Sequence, residues 1–110
     1  MIEKTILDYL GSKLTKSVYM EVPEDPPQSF VVIEKTGSGE ENGIFTATLA
    51  VQSYAETLYD AATLNETVKA EMLAAPDECD VFAVELNSDY NYTDTATKRY
   101  RYQAVFDVYY

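Results

Sequence analysis

Residues 44–75 read IFTATLAVQSYAETLYDAATLNETVKAEMLAA, and within this stretch the spacing of apolar side chains changes from two to about 3.6. From Ile44 to Tyr54, Phe45, Ala47, Leu49 and Val51 fall on one side and Thr46, Thr48 and Gln52 on the other. That alternation predicts a strand with one buried face. From Ala55 to Ala75, Leu58, Ala61, Ala62, Val68 and Met72 form one helical stripe, flanked by Leu64 and Leu73, and Pro76 ends the helix. Small alanines on the packed side allow close approach to a sheet. A helix layer on a sheet is the architecture this pair demands.

Working outward, Ser29–Thr36 (SFVVIEKT) reads as a second strand, since Phe30, Val31, Val32 and Ile33 all favour extended backbone. Between the two strands lies Gly37-Ser38-Gly39-Glu40-Glu41-Asn42-Gly43. It reads as a connection too long for a two-residue turn, forming a flexible, acidic hairpin tip. Upstream, Ser17–Val22 alternates as a short edge strand stopped by Pro23, Pro26 and Pro27, and Ile2, Ile6, Leu7, Leu10 and Leu14 share one side of an opening helix. Downstream, Asp80–Leu86 reads as a strand and Asn87–Thr97 as irregular. Lys98–Tyr110 carries the most regular alternation in the chain, with Tyr100, Tyr102, Ala104, Phe106, Val108 and Tyr110 against Arg99, Arg101, Gln103, Val105, Asp107 and Tyr109. The order helix, strand, strand, strand, helix, strand, strand predicts one α+β domain over residues 1–110. Its expected form is two layers, a mainly antiparallel sheet of about five strands with two helices packed on one face.

Composition excludes several chemistries. Nineteen acidic against eight basic side chains give a net charge of −11. That balance opposes specific nucleic-acid binding through phosphate neutralisation, and it disfavours an anionic membrane surface. The absence of histidine removes His-based triads and the usual zinc and copper sites. The single Cys79 forms no internal disulfide, and the opening Met1-Ile2-Glu3-Lys4-Thr5 lacks the basic head and apolar run of a secretory signal. A reducing compartment, and a soluble protein not secreted by a signal peptide, are the expectation. The glycosylation-like triplets at Asn65 and Asn91 carry no weight without a secretory context.

The candidate chemical sites are weak. The glycines at 37, 39 and 43 lead into a strand, no Lys-Ser/Thr pair follows, and Glu40 and Glu41 repel phosphate, so a phosphate-binding loop is not expected. Asp77, Glu78 and Asp80, and Asp89, Asn91 and Asp94, offer oxygen ligands but match no EF-hand spacing. Paired carboxylates also suit glycosidase chemistry, yet so short a chain offers little cleft for a sugar. No catalytic residue, cofactor or metal is assigned, and a non-enzymatic role is expected.

Two features point to assembly. Ten tyrosines crowd one small domain, and Tyr100 and Tyr102 against Tyr109 give the last strand aromatic side chains on both faces. The plain reading is a core strand with tyrosines at its margins; the functional one is an intersubunit surface. Charge is also polarised. Residues 17–97 hold only Lys35 and Lys69 as basic side chains, whereas Lys98, Arg99 and Arg101 stand together. Such polarity solubilises a surface, and it also suits a head-to-tail contact in which a basic strand end meets an acidic surface on the next copy. The candidate subunit contacts are Glu40, Glu41, Asn42, Arg99, Arg101, Tyr100 and Tyr102.

The element order, the Pro-rich lead into Phe30-Val31-Val32-Ile33-Glu34-Lys35-Thr36-Gly37, the strand end Ala50-Val51-Gln52-Ser53-Tyr54-Ala55 and the helix run Ala61-Ala62-x-Leu64-Asn65-x-x-Val68 resemble one known family. It is the tail terminator (tail completion, tail-to-head joining) family of long-tailed phages with Gram-positive hosts. The resemblance covers about residues 1–75, and Ser38 stands where members usually have a second glycine. It implies a virion protein made in bacterial cytoplasm, which forms a hexameric ring on the tail tube, stops tube polymerisation and presents a surface to the head connector. The implied partners are further copies of the chain, the major tail tube protein and the head-tail connector or stopper protein. DNA passes through such a ring without specific binding, and an acidic lining repels it. The acidic tip Glu40, Glu41 and Asn42 is the candidate for lining the channel or touching a neighbouring ring. Two other readings stand beside this one: a connector or stopper component, and a monomeric binding domain that offers Ser17–Val22 for strand addition.

Overall fold

The computed structural model describes residues 1–110. In chain order the elements are α1 (Ile2–Lys13), β1 (Ser17–Tyr19), β2 (Phe30–Glu41), β3 (Ile44–Ala55), α2 (Leu58–Ala74), a single 3-10 turn at Ala75–Asp77, β4 (Ala83–Asn91) and β5 (Tyr100–Tyr109). The five strands form one sheet in the order β1-β2-β3-β5-β4. β1 runs parallel to β2, and every other neighbouring pair is antiparallel. Both helices pack on one face, giving the two-layer α+β arrangement.

The core follows from the two periodicities. Ile2, Ile6, Tyr9 and Leu10 on α1 and Val68 and Met72 on α2 meet Val31 and Ile33 of β2, Leu49 and Val51 of β3, and Ala104, Phe106 and Val108 of β5. Phe106 is the largest fully buried side chain. It sits on the strand paired on both sides, by β3 and by β4. Thr57 starts α2, its hydroxyl accepting from the Asp60 N–H at 3.1 Å, so the helix begins three residues later than the apolar pattern suggests. Ala55 instead closes β3 opposite Tyr100. No helix is long and apolar enough to cross a membrane.

Four further details differ from the sequence expectation. The stretch 37–43 is not an irregular tip: β2 continues to Glu41, β3 starts at Ile44, and Asn42-Gly43 alone makes the turn. Both turn residues have positive φ, 54° and 82°, as a two-residue type I′ hairpin requires. The polar run conceals a strand because this half of β2 is exposed, so no apolar alternation is demanded of it. A register shift between Lys35 and Gly37 marks where the ribbon leaves the packed region. β4 likewise begins and ends later than its apolar residues, running to Asn91 through a shift near Asn87. β1 pairs over three residues only, Ser17–Tyr19, which makes it a poor template for strand addition. The α2 stripe contains buried Asn65, while Leu58 and Leu73 at its ends are exposed.

Gly43 is the turn position that requires glycine. A Cβ there meets no neighbouring atom, so Gly43→Ala is expected to cost about 1–2 kcal/mol through backbone strain alone. Urea unfolding checks this, and an unchanged midpoint would show that the turn relaxes into another type.

Candidate interaction surface

The sheet face turned away from the helices carries a side-chain ladder rather than a covering layer. Strand alternation places Phe30 and Val32 of β2, Gln52 and Tyr54 of β3, Arg101 and Gln103 of β5 and Tyr90 of β4 on this side. Phe30 and Tyr54 stack with centroids 4.5 Å apart and planes 6° from parallel, and Tyr19 meets Phe30 edge-on at 6.0 Å. The hydrogen bonds run in one direction. The Arg101 guanidinium donates to Tyr54 Oη (2.8 Å), and Tyr54 donates to Gln52 Oε1 (3.2 Å). Gln52 Nε2 then donates to Gln103 Oε1 (2.8 Å), and Gln103 Nε2 donates to Tyr90 Oη (2.6 Å). Gln52 and Gln103 retain only 8% and 9% exposure, so each amide is satisfied by its neighbours instead of by water. The result is a rigid amide and aromatic face.

Arg101 is fixed further by donation from Nε to the Tyr92 carbonyl (2.7 Å), and its guanidinium lies 4.5 Å from the Tyr92 ring centroid and 5.6 Å from that of Tyr54. Its charge is engaged inside the molecule. Arg99, two residues earlier, joins only a backbone bridge to Asp94, and its side chain is exposed. The structure therefore separates two arginines that the alternation pattern groups together.

The other candidate residues divide between the two ends of the sheet. Glu40 and Glu41 are exposed opposite Phe45 and Ile44, and Asn42 occupies the turn. Tyr100 pairs with Ala55 at the far end, about 30 Å away along β3. There it lines a cleft of about 160 Å³ with Pro26, Pro27, Lys98 and Arg99 among its walls. Tyr102 is half-buried on the helix side by alternation with Ala104, and Tyr109 is half-buried on the opposite side at the hairpin end. Acidic and basic candidates thus lie at opposite ends of a molecule 43 Å long.

Sequence reasoning missed an apolar hollow of about 370 Å³ at the hairpin end, lined by Ile44, Phe82, Ala83, Glu85 and Tyr109. Beside it Phe45 stacks on Tyr110 with centroids 5.9 Å apart. The available signal was Phe82 itself, a large apolar residue on the opposite strand parity to buried Val81.

Among the side chains considered as cation ligands, Glu78, Asp89, Asn91 and Asp94 have local partners, while Asp77 and Asp80 are exposed. Glu78 pairs with Lys13 and accepts from Tyr9, and Asp94 accepts from the Ala96 N–H. Asn91 accepts from Thr93. Asp89 accepts from Lys69 (2.8 Å) and from Asn65 (2.9 Å), which ties β4 to α2. Asn65 is only 1% exposed, so the first glycosylation-like triplet is closed to modification. The Lys69 contact, reinforced by Asn65, holds the Asp89 carboxyl below the usual carboxylate range. A lowered folded-state pKa stabilises above the unfolded value, and that contribution is lost as pH falls through the folded one. Asp89→Asn is therefore expected to be less stable than wild type at neutral pH. The gap should narrow below about pH 4; thermal melts across pH check this, and a gap that stays constant into acid would contradict it.

Burial, followed by the neighbouring carboxylates of Asp80 and Glu78, pushes the Cys79 thiol up, which disfavours a reactive thiolate. Neither a scan against protein-family models nor a search of curated proteins returned a match for this chain.

Proposed function

We propose that this protein is a non-enzymatic building block of a long-tailed phage that caps the tail tube as a ring and joins the tail to the head connector. The observation that supports it most is the placement of complementary surfaces at opposite ends of one elongated domain. Glu40, Glu41 and an apolar hollow lie at one end, with Lys98, Arg99 and a proline-tyrosine cleft at the other. A contact between unlike ends is heterologous and generates a closed ring when the rotation permits. The sequence resemblance to tail terminator proteins supplies the tail context. On this reading the partners are other copies of the chain in a hexamer, the major tail tube protein and the connector or stopper protein, in a virion assembled in the bacterial cytoplasm. Six copies multiply the −11 charge of one chain, so the channel of such a ring repels DNA and lets it slide.

A connector or stopper component would use the same surfaces one ring higher, and it is separated by which neighbour it binds. The test is co-expression with a tail tube protein from the same genome. The tagged chain should retain the tube protein and show a ring mass by native mass spectrometry. Retention of the connector alone would favour the stopper, and a monomer retaining neither would favour a free binding domain.

A further inference from the structure

The apolar hollow at the hairpin end has an anionic rim. Phe82 is 74% exposed, Ile44 46%, and Glu85 lines the hollow with them. Glu41 and Asn42 line an adjoining hollow of about 210 Å³ that shares Ile44 and Tyr109. Clustered exposed apolar side chains rimmed by charge mark interaction sites, and these need an occupant with cations on an apolar support.

The cations of the chain identify one. Lys4, Lys13, Lys35 and Lys69 are held in ion pairs, and Arg101 is held by Tyr54 and Tyr92. Lys16, Lys98 and Arg99 have no carboxylate partner. Two of these three are adjacent, in a turn where Lys98 adopts a left-handed φ of 56° beside Pro26, Pro27 and Tyr100. This cationic turn lies about 30 Å along the sheet from the hollow, so a chain does not fill its own.

We propose that the hollow at Ile44, Phe82 and Tyr109 receives the Lys98–Arg99 turn of a second copy, with Glu85 and Glu41 facing the two cations. The contact deepens the ring reading above and rests on it in taking another copy of the chain as the partner. It reassigns the basic side of the interface from Arg101 to Lys98 and adds the apolar seat that Glu40 and Glu41 alone do not provide.

Sedimentation velocity and native mass spectrometry of the full chain at about 100 µM, alone and with the tube protein, test it. Phe82→Asp, Glu85→Arg and Arg99→Glu should each weaken self-association by about tenfold or more, whereas the double variant Glu85→Arg with Arg99→Glu should recover most of it. Phe82, Glu85 and Arg99 are exposed, so melting curves should stay at the wild-type temperature and separate this effect from misfolding. Assembly that survives Phe82→Asp and Glu85→Arg, or a double variant as weak as the single ones, overturns this contact and leaves the ring to another surface. A wild-type chain that stays monomeric both alone and with the tube protein overturns the contact and the ring together.

Discussion

Arg101→Glu is expected to destabilise the folded domain by about 2–4 kcal/mol, while Arg99→Glu, two residues away, changes stability by less than about 0.5 kcal/mol. The difference follows from what each guanidinium touches. Arg101 donates to Tyr54 Oη and the Tyr92 carbonyl and lies over both rings. A glutamate there removes the donor at the head of the Tyr54–Gln52–Gln103–Tyr90 ladder and sets a carboxylate against a carbonyl oxygen. Arg99 makes no ion pair and loses only surface charge. Urea titration of the two variants decides the matter. Equal midpoints would show that the ladder does not depend on Arg101. Arg101→Lys should recover part of the loss, because an ammonium keeps the charge over the rings but cannot donate in the same fork.

Phe106→Ala is expected to have the largest effect of any single truncation, about 3–5 kcal/mol. Phe106 is fully buried on β5, with α2 across the core and paired strands on either side. The surrounding backbone is held by two ladders and cannot collapse into the vacated volume. Against a total stability of about 5–15 kcal/mol for a domain of this size, the loss leaves the fold marginal. A melting temperature lower by more than about 12 °C is the expected result. A shift of only a few degrees would mean that the core repacks around the cavity.

Most of the fold was legible because the chain segregates its periodicities. Alternation buries Ala47, Leu49 and Val51 of β3 and Ala104, Phe106 and Val108 of β5, and the helical stripes bury Ile2, Ile6, Leu10, Ala61, Val68 and Met72. Phe45, expected on the same buried face of β3, lies beyond the helices and is 50% exposed. Legibility failed where burial no longer dictates composition. The outer half of the β2–β3 ribbon projects beyond the helices, so Thr36–Glu41 keeps strand hydrogen bonds with loop-like residues. Asn-Gly at 42–43, the strongest two-residue turn signal in the chain, was masked by the glycines before it.

The open face was unreadable for a different reason. Gln52 and Gln103 look like solvent-facing polar residues, yet cross-strand pairing turns them into each other's partners. That depends on register, which composition does not encode. The same limit applies to the candidate contacts. The sequence grouped Arg99 with Arg101, and only the register against Tyr54 shows that one is committed internally and the other is free. Phe82 reads as part of the Asp80–Leu86 strand, whereas β4 begins after it and leaves it exposed at the strand's entrance.

The proposed role rests on the chain acting by fit against copies of itself and other virion parts. Electron microscopy of tubes polymerised from the tail tube protein, with and without this chain, tests that most directly. The account predicts tubes of limited length with a ring density at one end whenever the chain is present. Uncapped tubes of unchanged length, with the chain left monomeric in the supernatant, would contradict it.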